Sequence, residues 1–434
     1  MFLSRKVIGF TTMDGIKSYP KNKILIVDSG MKNLGGHNFS YTRAVQNALT
    51  ENSFEVDVFA NKLLPQDLVK SSGYKPVFTH GAYDFPPFKG IKRDLAHVYA
   101  QSVIYADELE HELENKLSDY SAIFCHTIGD FELIGWNKFL SRNKLNSHLF
   151  LLLRTTPNFT RMPLLKRKLH PYLRIKPHYL NSIYAKLKDK FTLVTDSQLL
   201  TNDYRSIYKH HIVTLPIPIN KYFLSSEESY ASSLIAFKNR YDLNRKELYI
   251  GYMGDARGSK GFHLLPELVS GVISKTDRVH FLVQCSVNKT GNSDLPVGLT
   301  EIQQIAEVEN KRVTLVSERL SEEDYANMFR CLDIVLVPYF TPLYAEATSG
   351  IFAEAIALGK PAVVTETTWM AHELRKFGGG LEIKRNNAED LTKKVFELID
   401  NYEKYAEKTQ AYRSQWCSFH NSHKLAEMLI EEIK

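Results

Sequence analysis

Two glutamates eight residues apart, Glu346 and Glu354, stand on either side of Ser349-Gly350 in the stretch 338–361. The apolar run from Asp333 to Pro338 ahead of them reads as a buried strand. A helix is expected to open near Ser349-Gly350 and to close at Gly359, before Pro361 starts the next strand. The first N–H groups of a helix have no partner within it and lie at its positive dipole end, so this helix start is a ready anion site. A carboxylate on each side of such a site suits a ligand with hydroxyls on both sides of a diphosphate. Upstream, Gly254-Asp-Ala-Arg257-Gly-Ser-Lys260-Gly261 carries two cations. Lys260 stands at an expected helix start, against the dipole, which points to an anion partner.

Further candidates sit after apolar runs. His126 ends the run Ser121–His126, and the carboxyl ends of strands in open α/β sheets face the ligand crevice. Gly35 and Gly36 follow the run Lys23–Asp28 and precede a helix from His37 to about Leu49, so close approach to a substrate is expected there. Arg154 and Asn158 follow the run His148–Leu153 and could reach an acceptor. No Asp-x-Asp pair occurs in the chain. A bound metal is therefore not expected, and neutralising a diphosphate falls to Arg257 and Lys260.

The elements that must position these residues form two α/β series. Strand-like runs at 23–28, 54–60, 121–126, 148–153, 191–195 and 211–215 make the first, with a long helix from about Arg93 to Leu117 and a loop over 71–92. Leu215-Pro-Ile-Pro218 interrupts regular structure and marks a domain boundary. The second series has strands at 248–253, 279–285, 313–317, 334–338 and 361–365, with helices between. Alternation of this kind, twice over, predicts two facing doubly wound domains. The expected division is 1–216, 217–405, and a C-terminal helix in 406–434 returning to the first domain. At 434 residues and 44% hydrophobic, the chain is long enough for two cores.

Glu346-x7-Glu354, followed by Ala-Ile-Ala-Leu-Gly-Lys-Pro, resembles the C-terminal signature of retaining GT-B glycosyltransferases of the family-4 type. The loop 254–261 resembles that family's diphosphate loop, and Gly35-Gly36 its first glycine loop. Two departures stand out. Ala347-Thr348-Ser349 sets Gly350 one position late, and Arg257 lies only three residues before Lys260. The resemblance implies two Rossmann-like domains around a cleft, a nucleotide-sugar donor (UDP- or GDP-linked) and no cofactor. It further implies that Glu354 takes the ribose hydroxyls and Glu346 a hydroxyl of the transferred sugar. Backbone N–H groups at Ser349, Gly350 and Ile351 would meet the diphosphate, and Arg257 and Lys260 its β-phosphate. Leu320 would line the base. His126 would contact donor sugar or acceptor, with His37, Arg154 and Asn158 on the acceptor side. A glycan, glycolipid or other hydroxyl compound would be the acceptor, with a role in cell-surface polysaccharide or glycolipid synthesis. A nucleotide-sugar 2-epimerase and a non-catalytic sugar-nucleotide-binding subunit are the alternatives.

Charge is uneven. The net charge is +6, yet residues 161–190 hold nine Lys or Arg against Asp189 alone, +8 in that window, which leaves −2 elsewhere. Leucines and tyrosines interleave with these cations. The window reads as a solvated face, or as a surface for anionic lipid or an acidic acceptor. Nucleic acid is not expected, since no recognition module accompanies the charge. Four scattered cysteines and the absence of a long apolar run point to a reducing, cytoplasmic setting, with at most peripheral membrane contact.

Overall fold

The computed structural model describes residues 22–33, 37–82, 84, 91–156, 172–225, 227–243, 246–286, 295–340 and 344–433. Gly35, Gly36, Asn158 and the part of the basic window up to residue 171 lie outside them.

The first series gives β1 (Lys23–Asp28), α1 (His37–Glu51), β2 (Glu55–Asn61), α2 (Gln66–Ser72), β3 (Lys75–Phe78), α3 (Ile91–Leu113) and β4 (Ala122–Cys125). It continues through α4 (Asp130–Arg142), β5 (His148–Leu152), α5 (Tyr172–Leu187), β6 (Phe191–Thr195), α6 (Gln198–Arg205) and β7 (Ile212–Thr214). The seven strands pair in parallel in the order β3-β2-β1-β4-β5-β6-β7. Such strands are apolar on both faces because helices cover both sides of the sheet. Leu25, Val27, Ile123 and Leu149 pack into one core; Ile24, Ile26, Phe124 and Phe150 pack into another. The strand β3 corrects the expected loop over 71–92. Its Lys75-Pro-Val-Phe is too short and polar to show as a run, and it forms an edge, where a proline is tolerated.

The second series begins with α7 (Lys221–Leu224) and α8 (Ala231–Arg240), then β8 (Leu248–Tyr252), α9 (Leu265–Ile273), β9 (Val279–Gln284), α10 (Leu299–Val308) and β10 (Val313–Val316). After these come α11 (Glu322–Cys331), β11 (Ile334–Val337), α12 (Gly350–Ala357), β12 (Ala362–Thr365), α13 (Trp369–Leu374), β13 (Gly380–Ile383) and α14 (Ala388–Asp400). The order is β10-β9-β8-β11-β12-β13, again parallel throughout. Two further cores cover the faces of this sheet. In both sheets the order reverses once, between β1 and β4 and between β8 and β11. Crevices outside the carboxyl ends of strands at such switch points are where open α/β sheets bind ligands.

Two helices end the described chain. The helix α15 (Tyr402–Phe419) packs on α12, with Trp416 Nε1 donating to the Ala353 carbonyl at 3.0 Å. Within the segment 406–434 the direction then changes at His420-Asn421. The helix α16 (Ser422–Ile433) lies against α1 and buries Leu425, Ala426 and Leu429 in the first domain's core. The chain thus passes between domains twice. The two passages are bonded to each other, as Ile217 N–H donates to His420 Nδ1 at 3.1 Å.

Candidate functional site

At the second switch point, Gly254 follows β8 with φ +97°, and a turn of 3-10 helix, Gly258–Lys260, follows Arg257. Gly261, at φ +76°, closes that turn so tightly that an added Cβ would lie 2.2 Å from the Pro338 carbonyl oxygen. Glycine is required there. Lys260 is 5% exposed, and its ammonium sits where a side chain at Gly254 would be, 2.8 Å from that ideal Cβ. Burial, with help from the neighbouring Arg257 charge, pushes the Lys260 pKa down to about 8 against the opposing pull of Asp255 and Glu354. Arg257 is more exposed and pairs with Asp255 at 3.2 Å. The 3-10 turn replaces the expected helix start at 260, which begins only at Leu265.

Opposite this loop, Ser349 caps α12, its Oγ accepting from Phe352 N–H at 3.2 Å. Gly350 is the first helical residue, and Ile351 is buried with Cδ1 against Gly254. One turn in, Glu354 accepts from Tyr325 Oη at 3.1 Å. Burial raises the Glu354 pKa to about 8, despite that hydrogen bond and the Lys260 charge. A buried cation and a carboxylate therefore flank one helix start, each held away from its ordinary ionisation. Perturbed groups of this kind collect at functional sites. Glu346 is half-buried in the loop before α12, and Leu320 packs at the edge of the second core.

At the first switch point the loop residues Gly35 and Gly36 and the side chain of His37 lie outside the described residues. His126 does not line an open surface: it is 0% exposed. Its Nε2 lies 2.7 Å from Thr42 Oγ1, which donates to Asp28 Oδ2 at 3.1 Å, while Nδ1 lies 3.1 Å from Thr127 Oγ1. Nε2 also lies 3.3 Å from Asp28 Oδ2, so the ring is held between Thr42 and Asp28 on one side and Thr127 on the other. Both ring nitrogens are therefore occupied within the protein. Asp28 is desolvated, which alone would raise its pKa, but His126, Thr42 and Asn38 hold it below the usual value. The Tyr41 ring covers His126 at 4.5 Å, and the Arg154 guanidinium lies 4.3 Å over the other partner of this stack, the Tyr41 ring itself. Arg154 in turn pairs with Asp196 at 3.3 Å.

Side-chain bonds join the halves. Thr348 Oγ1, one residue before the α12 cap, donates to Asp196 Oδ2 at 2.9 Å, and Ser40 Oγ donates to Glu322 Oε1 at 2.8 Å. Sequence reasoning brought Arg257, Lys260, Glu346, Ser349, Gly350, Ile351 and Glu354 to one switch point. It missed Tyr325, Gln284 (whose Oε1 accepts from Gly254 N–H at 2.6 Å), Asp28, Thr42 and Asp196. Only Asp28 and Asp196 carried a signal, each a carboxylate ending an apolar run.

Two parallel sheets, each with one reversal of strand order, make the double-Rossmann fold of GT-B glycosyltransferases. Residues 235–415 match the family model of glycosyl transferases group 1. A glycosyltransferase from Rickettsia africae ESF-5 is similar over 96% of this chain and 98% of its own, with TM-score 0.69 and 16% identity. Alr3699/HepE of Anabaena, solved with UDP and glucose, is similar over 95% and 99%, with TM-score 0.62 and 15% identity. WaaG, a glycosyltransferase involved in lipopolysaccharide biosynthesis, is similar over 93% and 99%, with TM-score 0.60 and 14% identity. No curated protein matches the chain in sequence. Among the described residues, no helix is long and apolar enough to cross a membrane.

Proposed function

We propose that the protein moves a sugar from a nucleoside-diphosphate donor to an acceptor hydroxyl with retention of anomeric configuration. The observation that carries this reading is the pairing of Lys260 and Glu354 across the start of α12. In it, the ribose hydroxyls donate to Glu354, and the N–H groups at Ser349, Gly350 and Ile351 and the ammonium of Lys260 take the diphosphate. Arg257, exposed and loosely held by Asp255, swings onto the β-phosphate, and Glu346 takes a sugar hydroxyl.

The bond from the anomeric carbon to the β-phosphate oxygen breaks, and both electrons go to that oxygen. Prepositioned cations and dipoles stabilise the charge most in the transition state, where it develops. The acceptor oxygen bonds to the anomeric carbon on the face the leaving group departs from, and its proton passes to the leaving phosphate. His126, enclosed with both nitrogens engaged, orients the first-domain wall and is poorly placed as an acid or base. That weakens the epimerase reading, which needs such a group at the sugar. Synthesis of a cell-surface polysaccharide or glycolipid is the use we assign to this chemistry.

A thermal-shift panel of UDP, GDP, ADP and TDP tests the donor site, since a ligand bound only by the folded state raises Tm by mass action. With the matching sugar nucleotide and an acceptor, NMR of the product decides the configuration. An inverted anomeric centre would sink the retaining mechanism.

A further inference from the structure

At the hinge, both domains enclose a cavity of about 440 Å³, within the range of small-molecule sites. Ser197, Gln198 and Thr214 line it from the ends of β6 and β7 and the start of α6, and Gln415 from α15. These four side chains are neutral donors and acceptors. Phe419, 38% exposed, and the half-buried Tyr412 supply its aromatic surface, backed by Trp369 and Trp416, each 2% exposed.

The charged groups of the lining cancel in place. Asp196 is paired with Arg154, and Glu373 with Lys376 at 2.7 Å. His420 accepts from Ile217 N–H and is held neutral by burial, its pKa pushed down to about 3. No net charge is left over to attract an ion. Asp196 Oδ1, on a residue 5% exposed, has no hydrogen-bond partner among the described residues. Aromatic faces with a rim of neutral hydrogen-bonding groups match a ring that is apolar above and below and hydroxylated around its edge.

We propose that the hinge cavity binds a neutral saccharide unit, at a place separate from the donor anion site. Because its walls belong to both domains, an occupied cavity favours one interdomain angle. Binding itself does not depend on the transferase reading; only the source of the unit, part of the acceptor or a free sugar acting as effector, rests on it.

The test uses the full chain saturated with whichever nucleoside diphosphate stabilises it, so that the donor site is filled. Methyl glycosides of glucose, galactose, mannose and N-acetylglucosamine are the probes, read by saturation-transfer NMR and calorimetry. At least one should bind. Phe419→Ala and Gln198→Trp, both at exposed positions, should each weaken it about tenfold or more while nucleotide affinity and Tm stay unchanged. The proposal is overturned if no glycoside binds the nucleotide-saturated protein, or if Gln198→Trp binds it as well as the parent. Competition of the bound glycoside against acceptor would assign the unit to the acceptor; a changed kcat without competition would assign it to an effector. If no nucleotide binds, the donor reading fails by itself, and the same glycoside titration is run on the free protein.

Discussion

Lys260 and Glu354 are both moved to a pKa of about 8, down from the ordinary lysine value and up from the ordinary carboxyl value. Lys260 binds an anion only when protonated, and its pKa of about 8 in the free protein means that binding above that pH must first recruit a proton. Nucleoside-diphosphate affinity is therefore expected to fall as pH rises through about 8. Lys260→Ala should lower it about ten- to a hundredfold and flatten that pH dependence, as calorimetry on both sides of the transition will show. A second buried carboxyl gives a stability test. Glu132 is 0% exposed, accepts from Ser29 Oγ at 2.9 Å and Gly129 N–H at 3.0 Å, and has its pKa raised by burial to about 8. Between its ordinary value of 4.5 and about 8 the folded state holds the extra proton, so the contribution is present at low pH and lost as pH rises through that window. Glu132→Gln, which cannot ionise, should leave Tm near the parent value in acid and raise it above pH about 8, by roughly 1–3 kcal/mol of stability. An equal offset at both pH extremes would contradict the assignment. These two carboxyls also show the limit of sequence reading. Glu354 was legible because its spacing from Glu346 and from Gly-Lys-Pro is distinctive, whereas Glu132 looks like any charge in a helix.

At the scale of elements, the loop between β8 and α9 holds the cation in place through backbone shape. Gly261→Ala is expected to destabilise by about 1–3 kcal/mol, from a positive φ and a collision with backbone that cannot move aside. It should also weaken nucleotide binding, since Lys260 adjoins the residue that shifts. Denaturant melts and nucleotide titrations on the same variant measure both, and unchanged binding would mean that Lys260 is held by its packing alone. The strands that build both switch points were readable because doubly buried parallel strands are continuous apolar runs. Strands β3 and β13 were not, for edge strands such as Lys75–Phe78 and Gly380–Ile383 have one partner and carry polar residues. The helix α5 was read as a charge run. Ile175 and Leu180, two of the apolar residues interleaved with its cations, form with Ile183 and Leu187 the stripe that faces the first core. The tertiary contacts that bury Lys176 and His126 leave no trace in local spacing.

Across the whole molecule, the hinge is two chain passages bonded at Ile217 and His420, with Asp196 and Thr348 joining the domains beside the donor helix. Ending the chain after Asn421 removes α16 and uncovers the α1 face that meets Leu425, Ala426 and Leu429. The first domain should lose several kcal/mol, on the order of burying two leucines and an alanine. Hydrogen exchange should then rise in β1, α1 and β4 and much less in β8 and β11. Uniform loss of protection would instead mean that the two domains melt as one. The position of α16 also orders events during synthesis. Domains generally fold as they leave the ribosome, the N-terminal one first. Here the first domain receives its last covering helix from the final residues of the described chain, so its apolar face on α1 stays open while the second domain is made. The half that begins first is completed last, and a nascent chain of this protein needs that face shielded for the whole time its second half is being translated.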